Sequence, residues 1–300
     1  MKIVSWNILA NEFIKKNDYP MINAKTLFNR KERLAHILRL LECIDADIML
    51  LQEVMTTEYN ALSATFGKNY LVLQGTHIHW YGKKTSSGNV TLLRKKMFSL
   101  LPNMPTLAFG LHIRCHLLVS TSDKKNQIQQ DMCSQVCQKK STNNKSKTST
   151  STKPLKKPIL LDIFNVHLDD VSTTKRLQEI QSLMPHFRTR NSKVILGGDF
   201  NQNYQSTAKL YKLLATLRFK SYIDAPTYRI EKNLCIDHIM TKGFDNPNKK
   251  TNNNNNNNKT RKISLHKNKK EGCVVNDFGE DILKQFKAYG SDHLPIIVNI

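Results

Sequence analysis

Short, mostly apolar runs alternate along the chain with stretches in which apolar residues return every three or four positions. The first kind reads as strands and the second as helices laying one face on a sheet. Lys2 to Leu9 reads as a strand. Leu27 to Leu41 reads as an amphipathic helix, because Leu27, Leu34, Ile37, Leu38 and Leu41 fall at helical spacing with Arg and Lys between them. Further strands are expected at Asp47 to Gln52, Tyr70 to Leu73, Asn89 to Leu93, Leu111 to Ser120, Ile159 to His167, Lys193 to Leu196, Cys235 to Met240 and Pro295 to Ile300. Helices are expected over Thr173 to His186 and Ser206 to Leu217. Strands and helices alternate, but short gaps such as the one before Asn89 suit hairpins, so a mixed-sheet α/β domain fits better than a purely parallel one.

Two stretches, 121–158 and 243–272, break this pattern. The first contains STNNKSKTSTSTK and the second an unbroken run from Asn252 to Asn258, and neither offers enough apolar surface to offset the entropy of ordering. Both read as disordered surface insertions in one domain spanning 1–300. They also change the meaning of the charge: of the formal +22, the insertions carry +7 and +6, leaving +9 for the rest. Such a field attracts polyanions. Asn and Lys are equally what AT-rich codons supply, so basicity alone divides evenly between nucleic-acid binding and compositional bias. The six cysteines are scattered without a CxxC pair, as free thiols in a reducing compartment would be. No apolar stretch approaches the ~20 residues of a membrane span, and the N-terminal apolar run breaks at Asn7, Asn11 and Glu12, too early for a signal-peptide core. A monomer in the cytoplasm or nucleus, without membrane insertion, is the expectation.

The candidate chemistry gathers where strands end. Asn7 follows the first apolar run, Glu53 closes DIMLLQE, His167 closes ILLDIFNVH, Asp199 and Asn201 sit in VILGGDFN, Asp237 and His238 in CIDH, and Ser291, Asp292 and His293 precede the last strand. Loops at strand ends are accessible and aimed by a rigid sheet. A glutamate, asparagines, aspartates and histidines, without clustered cysteines, suit a hard metal and phosphoryl transfer better than zinc or thiol chemistry.

SWN at Ser5 to Asn7, LQEV at Leu51 to Val54, NVHL at Asn165 to Leu168, GGDFN at Gly197 to Asn201, IDHI at Ile236 to Ile239 and SDHLPI at Ser291 to Ile296 resemble, in order, the motifs of the endonuclease/exonuclease/phosphatase superfamily. The resemblance implies a two-sheet β-sandwich flanked by helices, four-layered and deoxyribonuclease-like. It also implies Mg²⁺, with Mn²⁺ as a substitute, held by Glu53 with help from Asn7. Asp199 would align or deprotonate the attacking water, and Asn201 would hold a phosphate oxygen. His293, hydrogen-bonded to Asp292, would act at the phosphorus. His167 would protonate the leaving oxygen, with Asp237 behind it raising its pKa.

Asn89 and His238 depart from the family pattern without touching the expected metal ligand. Retention of Glu53, Asp199 and His293 favours an enzyme over a nucleic-acid-binding pseudoenzyme. Asn165, Trp80 and Tyr81 are candidates for substrate contact, the two aromatics because THIHWYGKK sets them among cations where a base could stack. The expected activity is hydrolysis of phosphodiester bonds in nucleic acid, with a phosphoinositide or sugar-phosphate phosphatase as the alternative.

Overall fold

A computed structural model of the chain describes residues 1–80, 83–102, 106–118, 158–187, 192–205, 208–229, 232–244, 273–274 and 282–300. Nearly all of both insertions, Tyr81, and the side chain of Trp80 lie outside the described residues.

The strands are β1 (Lys2–Asn7), β2 (Ile48–Met55), β3 (Tyr70–Trp80), β4 (Lys83–Arg94), β5 (Phe98–Leu100), β6 (Thr106–Leu107), β7 (Gly110–Leu117), β8 (Ile159–His167), β9 (Lys193–Asp199), β10 (Lys220–Ser221), β11 (Asp237–Lys242), β12 (Cys273–Val274) and β13 (Ile296–Asn299). The helices are α1 (Ala24–Leu27), α2 (Arg30–Ile44), α3 (Thr56–Phe66), α4 (Thr173–Ser182), α5 (Met184–Phe187), α6 (Lys209–Thr216) and α7 (Ile282–Tyr289). Among the described residues they form a six-stranded sheet ordered β12-β13-β1-β2-β4-β3 and a seven-stranded sheet ordered β10-β11-β9-β8-β7-β5, with β6 paired to β7. Each sheet is mixed, through the parallel pairs β1–β2 and β8–β9.

The sheets face each other across an aliphatic layer that includes Ile3, Leu50, Ile113, Ile163, Ile195, Ile239 and Val298. On the outer face of the six-stranded sheet, Ile37 and Leu41 of α2 and Leu62 and Phe66 of α3 pack with Trp6 and Met49. On the outer face of the other, Ile180, Phe187, Leu210 and Leu214 pack with Phe164 and Leu196. This is the four-layer α/β sandwich expected from the sequence.

The strand expected at Ile159 to His167 matches β8 residue for residue. β3 and β4 run much longer than their apolar ends promised, because paired backbone carries them through a polar middle that has no alternation to read. The helix expected from Thr173 to His186 breaks at Leu183. Pro185 has no N–H to return to Gln181, and the chain restarts as α5. Helix α3 was not expected, since it starts directly after β2 without a break in the sequence.

A polar cluster interrupts the aliphatic layer. Asn165 of β8 is fully buried, and its Nδ2 donates to Leu51 O, Val90 O and Thr91 Oγ1 of the opposite sheet at 3.0–3.1 Å. Its Oδ1 accepts from Gln52 Nε2 at 2.8 Å and Asn89 Nδ2 at 3.3 Å. Substrate contact is therefore the wrong role for Asn165: its amide is saturated inside the sandwich. Asn89, odd by the family pattern, is its partner. Asn165→Ala should destabilise the protein by on the order of 3 kcal/mol, because several buried donors and acceptors lose their partner at once. Urea unfolding checks this, and a loss under 1 kcal/mol would show the network to be dispensable. Close packing between strands also explains the glycine pair of GGDFN. Gly198 sits at φ 141°, and a Cβ there would stand 1.9 Å from Val166 O, so no other residue lets β8 and β9 approach as they do.

Candidate active site

Strand register does most of the assembly. β8 and β9 place His167 opposite Asp199, and β9 and β11 place Asp199 opposite Asp237, so these three stand side by side at one end of the seven-stranded sheet. On the facing sheet, Asn7 pairs with Gln52, next to Glu53. The pairing of β2 with β4 shifts between Leu51 and Val54, and Glu53 takes a left-handed backbone at φ 58°. That bulge turns Glu53 out of the strand's alternation and towards the other sheet. The loop before β13 is tied down by Ser291 Oγ donating to Asn7 O (2.8 Å) and Trp6 Nε1 donating to His293 O (3.1 Å).

Six of the expected site residues, Asn7, Glu53, His167, Asp199, Asp237 and His293, come together, all buried. Asn7 Nδ2 donates to Glu53 Oε1 at 2.8 Å and Asp199 Oδ2 at 3.0 Å, while its Oδ1 accepts from Leu9 N. Asn7 thus turns its nitrogen to the carboxylates. It holds them together rather than offering an oxygen to a metal. Glu53 Oε2 accepts from Ala10 N at 2.8 Å, and Asp199 Oδ1 from Asn201 N at 2.7 Å. Asn201 also lines the cavity, and its Nδ2 donates to Leu168 O at 2.9 Å.

The two aspartate–histidine pairings differ from expectation. Asp237 Oδ2 lies 2.9 Å from His293 Nδ1, so Asp237 orients His293 and not His167. Asp292 does not hold His293 either. Its Oδ2 accepts from the Tyr19 hydroxyl at 2.6 Å, and its Oδ1 is 4.0 Å from His293 Nε2. The register explains the first swap: Asp237 stands two strands from His167, with Asp199 between them. His238, the other departure from the family pattern, is a core histidine on Tyr211 OH at 2.9 Å, and burial pushes its pKa down to about 3.

Protonation follows these partners. Burial alone would depress His293, but Asp237, Asp199 and Asp292 outweigh it and push its pKa to about 10, so it is an imidazolium. His167 is lowered by burial, and its Nδ1 has no hydrogen-bond partner among the described residues, so it is neutral. The raised pKa expected from a carboxylate behind His167 is absent, because that carboxylate serves the other histidine. Asp199 is raised by burial and then by Asp237, and Glu53 is raised by burial to about 7.

These groups open into a cavity of about 490 Å³. Glu53, Asp199 and Asp292 line it, whereas Asp237 stands behind His293. Four buried carboxyl groups face one imidazolium, so acidic oxygens predominate, and Asp292 Oδ1 is buried without a hydrogen-bond partner among the described residues. An oxygen-rich, acidic, partly wet site of this kind fits a hard divalent cation. Asp199, Asp237 and His293 also have ligand atoms within 4.8 Å of one another, but that set is closed by its own Asp237–His293 hydrogen bond. Glu53 and Asp292, facing the cavity, are the better holders.

Two supporting residues had no signal in the sequence. Tyr19, in a polar loop, fixes Asp292. Arg33, on the buried side of α2, donates to Ile8 O, Leu9 O, Asn11 Oδ1 and Gly290 O, and so braces the loop after β1 against the loop before β13. Arg33 counts within a helical face as one more cation, and only the contacts reveal its task.

Comparisons with known proteins agree with the architecture. The chain superposes on ANGEL2, a 2′,3′-cyclic phosphatase solved with adenosine-2′,3′-vanadate, with a TM-score of 0.59 and 13% identity over 99% of this chain and 94% of that one. It superposes on D. rerio TDP2 complexed with single strand DNA product with a TM-score of 0.52 and 12% identity over 99% and 97%. A mannosyl-6-phosphatase from Bacteroides thetaiotaomicron gives 0.53 and 13% over 100% and 98%. At such identities the likeness is one of fold. No curated protein matches the sequence. No helix among the described residues is long and apolar enough to cross a membrane. The model of the Endonuclease/Exonuclease/phosphatase family, whose members hydrolyse phosphoric esters and generally depend on divalent metal, matches residues 4–293. That match runs from β1 to His293 and takes in strands of both sheets, and the chain belongs to this family.

Proposed function

We propose that this protein hydrolyses phosphodiester bonds in nucleic acid with the aid of Mg²⁺ or Mn²⁺. The observation that carries the reading is that Nε2 of His167 and Nε2 of His293 each lie 3.7 Å from the same oxygen of Asp199. One carboxylate flanked by two imidazoles suits a reaction in which a water is deprotonated, a phosphoryl oxygen gains charge and an alkoxide departs. The solved ligands of ANGEL2 and TDP2, a nucleotide vanadate and a DNA strand, are consistent with it.

A divalent cation held by Glu53 and Asp292 would polarise a phosphoryl oxygen and neutralise its developing charge. The chain's own groups do the rest. Asp199, fixed through both oxygens by Asn7 and Asn201, takes the proton of the attacking water, and its raised pKa makes it a better base than an exposed aspartate. His293, kept charged by Asp237, donates from Nε2 to a non-bridging oxygen. His167 approaches the cluster from β8 and donates to the leaving oxygen, an anionic phosphate beside it restoring the proton that burial removes.

The test is incubation of labelled single-stranded DNA, duplex DNA, an abasic duplex, poly(A) RNA, a 5′-tyrosyl oligonucleotide and inositol polyphosphates, each with Mg²⁺ and with EDTA. Cleavage of at least one nucleic acid that EDTA abolishes is expected. Turnover of inositol polyphosphates alone, or activity that survives EDTA, overturns the reading. His167→Ala supplies a second check. An unactivated sugar oxygen needs a proton and p-nitrophenolate does not, so the variant should lose roughly a hundredfold on oligonucleotides and far less on thymidine p-nitrophenyl phosphate. Equal losses on both would remove the leaving-group role.

A further inference from the structure

One wall of the cavity has no part in the chemistry above. Tyr228, Arg229 and Lys232 line it, and Lys232 N donates to Arg229 O. The segment is built onto the catalytic loop. Tyr228 forms an antiparallel bridge with His293, and its ring lies 4.6 Å from the imidazole. Arg229 N donates to Asp292 O at 2.9 Å. Arg229 takes a left-handed backbone at φ 37°, uncommon for a non-glycine residue. Its guanidinium lies 5.2 Å from the centroid of the Tyr19 ring, and Tyr19 is the residue whose hydroxyl holds Asp292. The Tyr228 phenol is a hydrogen-bond partner of the same guanidinium. Two tyrosines thus hold one cation against the wall, a single ring away from the carboxylate proposed to hold the metal.

The other charged groups of the wall are Lys15, Glu12, Asp18 and Asp170. Glu12 is occupied by the backbone N–H and hydroxyl of Ser86, and Lys15 and Asp18 are exposed. Arg229 is the arginine among the described residues that line this cavity, and contacts the structure defines fix it there. Its planar fork suits the oxygens of a phosphate, which a lysine meets only as a point charge.

We propose that Arg229, with Lys232 behind it, is a subsite for a second phosphate one linkage removed from the scissile one, so that the enzyme selects a phosphate embedded in a polyphosphorylated chain. This rests on the phosphodiester reading above. For a nucleic acid the second group is the neighbouring backbone phosphate, and its contact with Arg229 lowers KM by holding the strand along the cavity wall.

The experiment compares thymidine 5′-(p-nitrophenyl phosphate) with two esters that carry one more phosphate, thymidine 3′-phosphate 5′-(p-nitrophenyl phosphate) and thymidine 5′-phosphate 3′-(p-nitrophenyl phosphate). The full chain is assayed in saturating Mg²⁺ as wild type, Arg229→Gln and Arg229→Lys. The wild type should favour one bisphosphate by roughly tenfold in kcat/KM, through KM. Arg229→Gln should reduce that preference below twofold, and Arg229→Lys should keep part of it. A wild type that favours neither bisphosphate overturns the proposal, as does a preference that survives in Arg229→Gln. A loss in Arg229→Gln that is equal on all three esters and accompanied by a lower Tm also overturns it, because that is the signature of a packing role. If thymidine esters are inert while inositol phosphates are hydrolysed, the nucleic-acid reading fails by itself. The same comparison between an inositol monophosphate and bisphosphate then decides the subsite.

Discussion

Glu53→Gln should lower turnover by roughly a thousandfold or more, because the cation proposed at this site would lose a charged ligand and the reaction its Lewis acid. The fold should survive. Glutamine retains the length of the side chain, but it cannot accept from both Asn7 Nδ2 and Ala10 N, so one hydrogen bond is lost. Against that, a buried charge is removed from beside Asp199 and Asp292. The sign of the pH effect follows from the raised pKa of about 7. The folded protein holds the Glu53 proton more tightly than the unfolded chain. Stability from this group is therefore complete below the ordinary carboxylate range and lost as pH rises through about 7. In metal-free buffer the wild type should lose stability between pH 5 and 8, and the variant should lose less, since Asp199 and His293, also raised, still titrate in it. Single-turnover rates and thermal melts, each with and without Mg²⁺, measure both effects. Wild-type rates in Glu53→Gln, or an Mg²⁺-induced rise in Tm that the variant keeps, would remove Glu53 from the metal site.

Asp237→Asn has the second largest expected effect and decides which histidine Asp237 serves. Asparagine can still accept from His293 Nδ1, so the ring keeps its orientation, but the charge that most raises the His293 pKa disappears. That pKa should fall from about 10 towards the ordinary imidazole range. The alkaline limb of the rate profile should move to lower pH by the same amount. At pH 8 the loss should be about a hundredfold, shrinking towards pH 6 as the imidazolium returns. If His293 acts on the phosphorus, as proposed, p-nitrophenyl esters should suffer as much as oligonucleotides. If the p-nitrophenyl esters were spared, Asp237 would instead be acting through His167.

That pairing marks where the sequence stopped being readable. Each motif sits beside a strand with a clear apolar signature, so His167 and Asp199 fall at the ends of β8 and β9 as the sequence suggests, while Glu53 lies inside β2 and Asp237 opens β11. What no strand signature contains is the order of strands in the sheet. Asp237 could stand behind His167 only if β8 and β11 were neighbours, and β9 lies between them. The same holds for Asn165, whose partners Leu51, Val90 and Thr91 all belong to the opposite sheet. Glu53 was legible as a strand-end acid, yet its aim depends on a bulge that strand periodicity does not encode, since β2 runs on to Met55. Tyr19 and Arg229 lie in polar loops with no periodicity at all, and what joins them to the site is Asp292, 273 residues from Tyr19 and bonded through its backbone oxygen to Arg229.

The pairing of β1 with both β2 and β13 bears on how the enzyme is made. On the ribosome, β1 emerges long before β13 and finds β2 within a few dozen residues, but its other edge has no partner until Ile296–Asn299 has been synthesised. Until then a run of apolar residues carries unpaired backbone groups, the state in which strands recruit one another from neighbouring chains. The same late segment brings Asp292 and His293. A nascent or stalled chain that ends before Ser291 therefore has most of its core and no working catalytic centre. The catalytic loop is thus completed only in the step that pairs the free edge of β1.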